Sequence, residues 1–256
     1  MVFDPPPVAV AYDRRSEADA AAALADELGL PVAKGFRDPH DLHLLLAKSG
    51  RLELRVNAAG DPLAGGRNVA ADLLGLDVSS PAGRKLGTPL FKAVGIRKGD
   101  AFRPHVIDAT AGLGEDAWLL AAQGCRIDAV EANPVVHALL RDALRRAAEG
   151  GAAEIAERIT LHRGRAQDVL AGRTADAVAL DPMFPPGRKT AEKKPMKLLR
   201  RLAGDASDEA SLFAAARATG ARRVVVKRPR LAPPLVPEPE PTHRFIGKAL
   251  RFDLYT

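Results

Sequence analysis

Three acids and two glycines carry the chemistry that can be read first in this chain. Asp108 closes the short apolar run Val106-Ile107-Asp108. Gly112 and Gly114 come next, within Ala109-Thr110-Ala111-Gly112-Leu113-Gly114, and a helix-forming segment starts at Glu115. Strand, glycine turn and helix start in that order let backbone approach a ligand closely. The unbonded N–H groups of the helix start then face it. The spacing Gly112-x-Gly114-x-x-Ala117 suits a dinucleotide as well as S-adenosylmethionine (SAM). Asp108, four residues before the first glycine, stands where a SAM enzyme places an acid near the cofactor's methionyl end. A NAD enzyme has no need of it. Glu131 closes the next strand, placed for ribose hydroxyls, and Asp181 ends a later one.

The tetrapeptide that Asp181 opens narrows the chemistry. Asp181-Pro182-Met183-Phe184 resembles the Asp/Asn-Pro-Pro-Tyr/Phe tetrapeptide of enzymes that methylate planar nitrogens. An exocyclic amino group has its lone pair delocalised into the ring. A carboxylate (Asp181) and a backbone carbonyl (Pro182) can accept its two N–H bonds, and an aromatic ring (Phe184) can stack on the base. The sulfonium of SAM is already electrophilic, so the protein supplies alignment and electrostatics. Asp181 is also the candidate proton acceptor. Hydride transfer has no use for such a tetrapeptide, which disfavours a nicotinamide oxidoreductase. Methylation at pyrimidine C5 usually needs a cysteine nucleophile. The single cysteine, Cys125, precedes the second strand and reads as a small core residue.

The elements that must hold these residues alternate. Candidate strands are Val106–Ala109, Arg126–Val130, Ile159–His162, Ala177–Leu180 and Arg223–Val226. Helices are expected at Glu115 to Gln123, Pro134 to Ala148 and Asp208 to Thr219. Val135, Val136, Leu139, Leu140 and Leu144 form an apolar stripe on the second. Apolar strands alternating with helices imply a parallel sheet covered on both faces. Ligands then bind at its C-terminal strand ends, where Asp108, Glu131 and Asp181 all fall. Arg165, Ala166 and Gln167 lie just after the third strand, where an adenine ring would sit; Asp168 either helps there or caps a turn. Phe245 to Tyr255 reads as antiparallel closing strands after a proline-rich loop, Pro233 to Pro241. His162 and Trp118 read as structural.

The fold class is therefore α/β: a Rossmann-like SAM-dependent methyltransferase sheet at residues 105–256, preceded by a small α+β domain at 1–78. In that first domain Ser16 is a candidate N-cap for a helix to Leu28, after a strand at Val8 to Tyr12. Leu42–Ala47 and Leu52–Val56 flank a hairpin turn. His40 and His43 lack the further ligands of a metal site, so no metal is expected. Residues 79–104 contain Gly83-Arg84-Lys85-Leu86-Gly87-Thr88 and turn helical around Pro89 to Val94. They read equally as an interdomain linker or as a basic loop over the site.

The chain has 256 residues, 46% of them hydrophobic, and a net charge of +6, which favours a polyanionic partner. No apolar run approaches the ~20 residues of a membrane span. The N-terminal stretch lacks the pattern of a signal peptide, so a cytoplasmic protein is expected. Residues 188–201 hold seven basic residues and one acid. Arg188, Lys189, Lys193 and Lys194 there, with Lys227 and Arg228 after the fifth strand and Arg84 and Lys85 before the first, are candidate RNA contacts through phosphate.

Several of these stretches together resemble the RsmJ family. They are Asp-Ala-Thr-Ala-Gly-Leu-Gly at 108–114, Gly-Cys at 124–125, Asn-Pro-Val-Val at 133–136, Leu-Asp-Pro-Met-Phe-Pro at 180–185, Val-Val-Val-Lys-Arg-Pro at 224–229, Arg-Phe-Asp-Leu-Tyr at 251–255 and Lys-Ala-Val-Gly-Ile at 92–96. The resemblance implies a bacterial SAM-dependent enzyme that methylates guanine N2 in small-subunit ribosomal RNA, acting on that RNA or on the small ribosomal subunit. It implies SAM contacts at Glu115, Asp116, Glu131, Ala132, Arg165, Ala166 and Asp181. The family usually carries a basic residue at the place of Glu115 and an arginine at that of Ala132. The rival readings are the same chemistry on adenine N6 or on DNA, and a non-catalytic RNA-binding protein that retains the fold.

Overall fold

A computed structural model describes residues 8–34, 38–80, 83, 88–97, 99–183, 193–203 and 208–256. In chain order its elements are β1 (Val8–Tyr12), α1 (Ala18–Leu28), β2 (Leu42–Leu46), β3 (Leu52–Val56), α2 (Thr88–Val94), β4 (His105–Asp108), α3 (Glu115–Ala122), β5 (Arg126–Glu131) and α4 (Pro134–Ala147). The remainder are α5 (Ala153–Ala156), β6 (Ile159–Arg163), α6 (Ala166–Leu170), β7 (Ala177–Leu180), α7 (Lys194–Ala203), α8 (Glu209–Ala218), β8 (Arg223–Pro229), β9 (His243–Ile246) and β10 (Leu250–Tyr255). Two compact units result. One comprises the described residues within Met1–Ala71, Asn133–Ala143 and Pro185–Asp205; the other comprises those within Asp72–Ala132, Leu144–Phe184 and Ala206–Thr256.

The first unit is built on a three-stranded sheet of order β1-β2-β3. β2 lies parallel to β1 and antiparallel to β3, the latter through the tight turn that the sequence signals. α1 covers one face, packing Ala21 and Ala25 on Val10 with Leu24, Leu30 and Leu46. Alternation along β3 buries Leu52, Leu54 and Val56 and leaves Glu53 and Arg55 half-buried. Ser16 is not the N-cap expected of it. The chain first tightens into one 3₁₀ turn, Arg15–Glu17, and Glu17 takes the cap position of α1. Gly29 closes the helix in the left-handed region, at φ 67°. The same unit includes the start of α4 and α7: Arg141 forms a two-pronged ion pair with Glu27 (2.6 and 2.9 Å), and Asn133 donates to the Leu202 carbonyl at 2.8 Å.

The second unit carries a seven-stranded sheet of order β6-β5-β4-β7-β8-β10-β9. The first five of these are parallel; β10 runs antiparallel between β8 and β9. The chain builds outward from β4 to β6, then returns to add β7 on the other side of β4. That reversal opens a crevice at the C-terminal ends of β4 and β7, the place where open α/β sheets bind ligands. Beneath it, Ile107, Val130, Val178, Leu180, Val224 and Val226 of the strands pack against Leu170, Leu212, Phe213 and Tyr255.

Candidate active site

The glycine loop is shaped by its own bonds. Gly112 (φ 54°) and Gly114 (φ 84°) both occupy the left-handed region, which a side chain makes costly. Gly114 is the N-cap of α3 and has no side chain to cap it, so the first N–H groups of the helix stay available to a ligand. Glu131, from the end of β5, accepts the Gly112 N–H at 2.9 Å, and Ala111 donates to Val130 O at 2.9 Å. The loop is thereby tied to the neighbouring strand. The Thr110 hydroxyl accepts the backbone N–H of Asp181 at 2.6 Å. The glycine loop and the tetrapeptide thus meet directly.

Behind the loop a small cavity is lined by Asp108, Asp116, Asp181 and Lys227, with Leu90, Ala179, Leu180, Val225 and Phe252. Asp108 is buried, and burial together with the charge of Asp116 pushes its carboxyl up from 3.8 to about 7. It accepts the Thr110 backbone N–H at 3.2 Å. Asp181 stands at the mouth with its side chain 40% exposed. Crowding by protein atoms raises its carboxyl, Lys227 opposes this, and Asp116 adds to it. The Lys227 ammonium lies 2.7 Å from Asp116 Oδ2 and 3.0 Å from Asp181 Oδ2. Burial alone would favour the neutral amine, but the two acids hold it protonated.

The structure brings Asp108, Gly112, Gly114, Glu115, Asp116 and Asp181 to one strand-end edge, with Pro182 beside the last. Glu131 closes β5 with Ala132 next to it, and Arg165 caps α6, where Ala166 is buried. These four lie outside the cavity lining, on the adjoining strand ends, joined to the loop through Glu131. Phe184, Arg84, Lys85, Arg188 and Lys189 fall outside the described residues. Lys193 is exposed, and Lys194 donates to Gly65 O at 2.8 Å. Lys227 and Arg228 do not stand outward as phosphate contacts would. Successive residues of β8 point to opposite faces. Lys227 enters the cavity beside Val225, and Arg228 turns to the other face, buried, donating to Pro233 O at 2.9 Å. Sequence reasoning missed Thr110, Leu90, Phe252 and the inward role of Lys227. For Lys227 the two-residue period of the strand was the available signal. Phe252 owes its place to pairing opposite Lys227, which no local pattern reveals.

A sheet of this order, with a bonded glycine loop after β4 and acids at the ends of β4, β5 and β7, is that of the SAM-dependent methyltransferases. Residues 24–256 match the family model described as "Putative SAM-dependent methyltransferase". A crystal structure of a SAM-dependent methyltransferase from Neisseria gonorrhoeae superimposes with a TM-score of 0.68 at 32% identity, covering 96% of this chain and 95% of that one. The chain is 41% identical over 258 residues to the ribosomal RNA small subunit methyltransferase J of Marinobacter nauticus, covering 97% of this chain and 91% of the relative. It is 47% identical over 174 residues to the protein of the same name from Pseudomonas fluorescens; that match spans 66% of each, just under two thirds of the relative's length. The chain belongs to the RsmJ family.

Proposed function

We propose that the protein transfers a methyl group from SAM to the exocyclic N2 of a guanosine in small-subunit ribosomal RNA. The observation that carries this is the bond from Asp181 N–H to Thr110, which sets the tetrapeptide carboxylate against the glycine loop. The residues present suit the cofactor. A buried acid with a raised proton affinity (Asp108) would be favoured in its charged form by a cation beside it, a helix start is left uncapped by any side chain, and Glu131 stands at the next strand end. SAM, when bound, supplies a methyl group on a positively charged sulfur. Asp181 and the Pro182 carbonyl accept the two N–H bonds of the amino group and so orient its nitrogen. Phe184 stacks on the base. Asp181 takes the proton that the nitrogen loses as it gains the methyl. The remaining cofactor contacts are Glu115, Asp116, Ala132, Arg165 and Ala166. RNA phosphates meet Arg84, Lys85, Arg188, Lys189, Lys193 and Lys194. The net charge of +6 supports a polyanionic substrate, and the relatives' name supports RNA over DNA.

The test is incubation with radiolabelled SAM and small ribosomal subunits lacking their guanine methylation, then digestion to nucleosides. Label in N2-methylguanosine is the expected result. Label in another nucleoside would retain the chemistry and discard the substrate. Asp181→Ala is expected to abolish transfer while circular dichroism shows an intact fold; full activity in that variant would overturn the assigned role.

A further inference from the structure

We propose that Lys227 is a positioning residue for Asp181: anchored by Asp116, its ammonium holds the Asp181 carboxylate charged and turned to accept the substrate amino group. The inference rests on the role just given to Asp181 and adds a residue to it. Three observations carry it. First, the Lys227 side chain is only 19% exposed, and its ammonium bridges Asp116 and Asp181 at 2.7 and 3.0 Å. Second, among the described residues it is the only cation lining a cavity that holds three acids, Asp108, Asp116 and Asp181. Third, the two acids it joins belong to different parts of the site: Asp116 to the first turn of α3, Asp181 to the end of β7.

The electrostatics give the ammonium its task. Glu115 and Asp116 face Asp181 from α3, and Asp108 faces the same cavity from β4. α2 and β10 contribute Leu90 and Phe252, which carry no charge. Asp116 and Glu115 favour a proton on Asp181, as does removal from water. A protonated Asp181 would present an O–H, lose part of its accepting capacity and be unable to take a proton. Lys227 opposes all of these at once. Its anchoring on Asp116 also fixes where it sits, so a single carboxylate rotamer is favoured.

The experiment compares the wild type, Lys227→Met, Lys227→Arg and Asp181→Asn by two measurements. One is ¹³C NMR titration of the aspartate side-chain carboxyls in the protein alone, with Asp181 assigned by its loss in Asp181→Asn. The other is kcat against pH at saturating SAM, which reports groups within the loaded enzyme. In Lys227→Met, Asp181 is expected to titrate at least about one pH unit higher, moving the acid limb of kcat by the same amount and lowering activity on that limb about tenfold. Lys227→Arg is expected to restore the limb. If Lys227→Met does not fold, Lys227→Gln takes its place. An unshifted Asp181 titration overturns the proposal, as does an equal loss of kcat at every pH. If the wild type labels no guanine, the substrate reading fails, and the NMR titration still decides the role of Lys227.

Discussion

Two buried aspartates respond to the fold in opposite ways, and pH separates them. Asp38, in the first unit, accepts the backbone N–H groups of Lys34 (2.8 Å) and His40 (3.0 Å), and its Oδ1 is 2.5 Å from His40 Nδ1. Burial would raise its carboxyl, but these partners hold it well below the usual range. Its stability contribution is therefore present at neutral pH and is lost as pH falls below about 4. Asp38→Asn is expected to cost about 2–3 kcal/mol at pH 7, read from urea unfolding, and to keep most of that cost near pH 3, where the folded carboxyl is still ionised. Asp108 has the reverse sign. Its folded value of about 7 exceeds the unfolded one, so ionisation weakens the cofactor-free fold progressively as pH rises from about 4 to 7. Asp108→Asn is expected to raise the melting temperature at pH 8 while weakening SAM binding in calorimetry. For the wild type, SAM affinity is expected to rise with pH up to about 7, because a cation displaces the Asp108 proton. An affinity flat from pH 5 to 8 would remove Asp108 from the cofactor's cationic end.

At the scale of elements, the glycine loop depends on backbone conformation as well as on its hydrogen bonds. Gly114 at φ 84° starts α3, so Gly114→Ala is expected to cost about 1 kcal/mol and to weaken SAM binding by misaligning the helix start. α7 presents exposed Lys197 next to exposed Lys193, while Leu198 and Leu202 are buried. If this helix meets RNA phosphates as proposed, Lys193→Ala with Lys194→Ala should lower the salt slope of RNA affinity by roughly 1.5. An unchanged slope would place the RNA elsewhere. The parallel strands are legible in sequence because each is a short apolar run between turn signals. β4 is expected at Val106–Ala109 and spans His105–Asp108; β7 is expected and found at Ala177–Leu180. Asp108 and Asp181 are legible with them, being polar residues that close such runs. Charge alone puts Lys227 and Arg228 in a basic cluster. The strand's alternation instead sends one into the cavity and buries the other, and composition carries no facing.

For the whole molecule, what sequence could not show is order in space. Periodicity shows that α4 has an apolar stripe, but not that its first ten residues cluster with the first unit, where the Leu52 N–H donates to Asp142 at 3.0 Å. Nor does it show that β10 enters the sheet between β8 and β9, because that pairing joins residues far apart in the chain. The insertion of β10 bears on how the protein is made. A ribosome delivers β8 and β9 before β10, yet neither can take its final neighbour until β10 arrives. The cavity wall supplied by Phe252 is missing over the same interval, and β8 offers an open edge of Val224, Val225 and Val226. The nascent chain therefore gains the complete cavity only once its β10 segment has cleared the exit tunnel, and until then that edge is open to pairing with other chains.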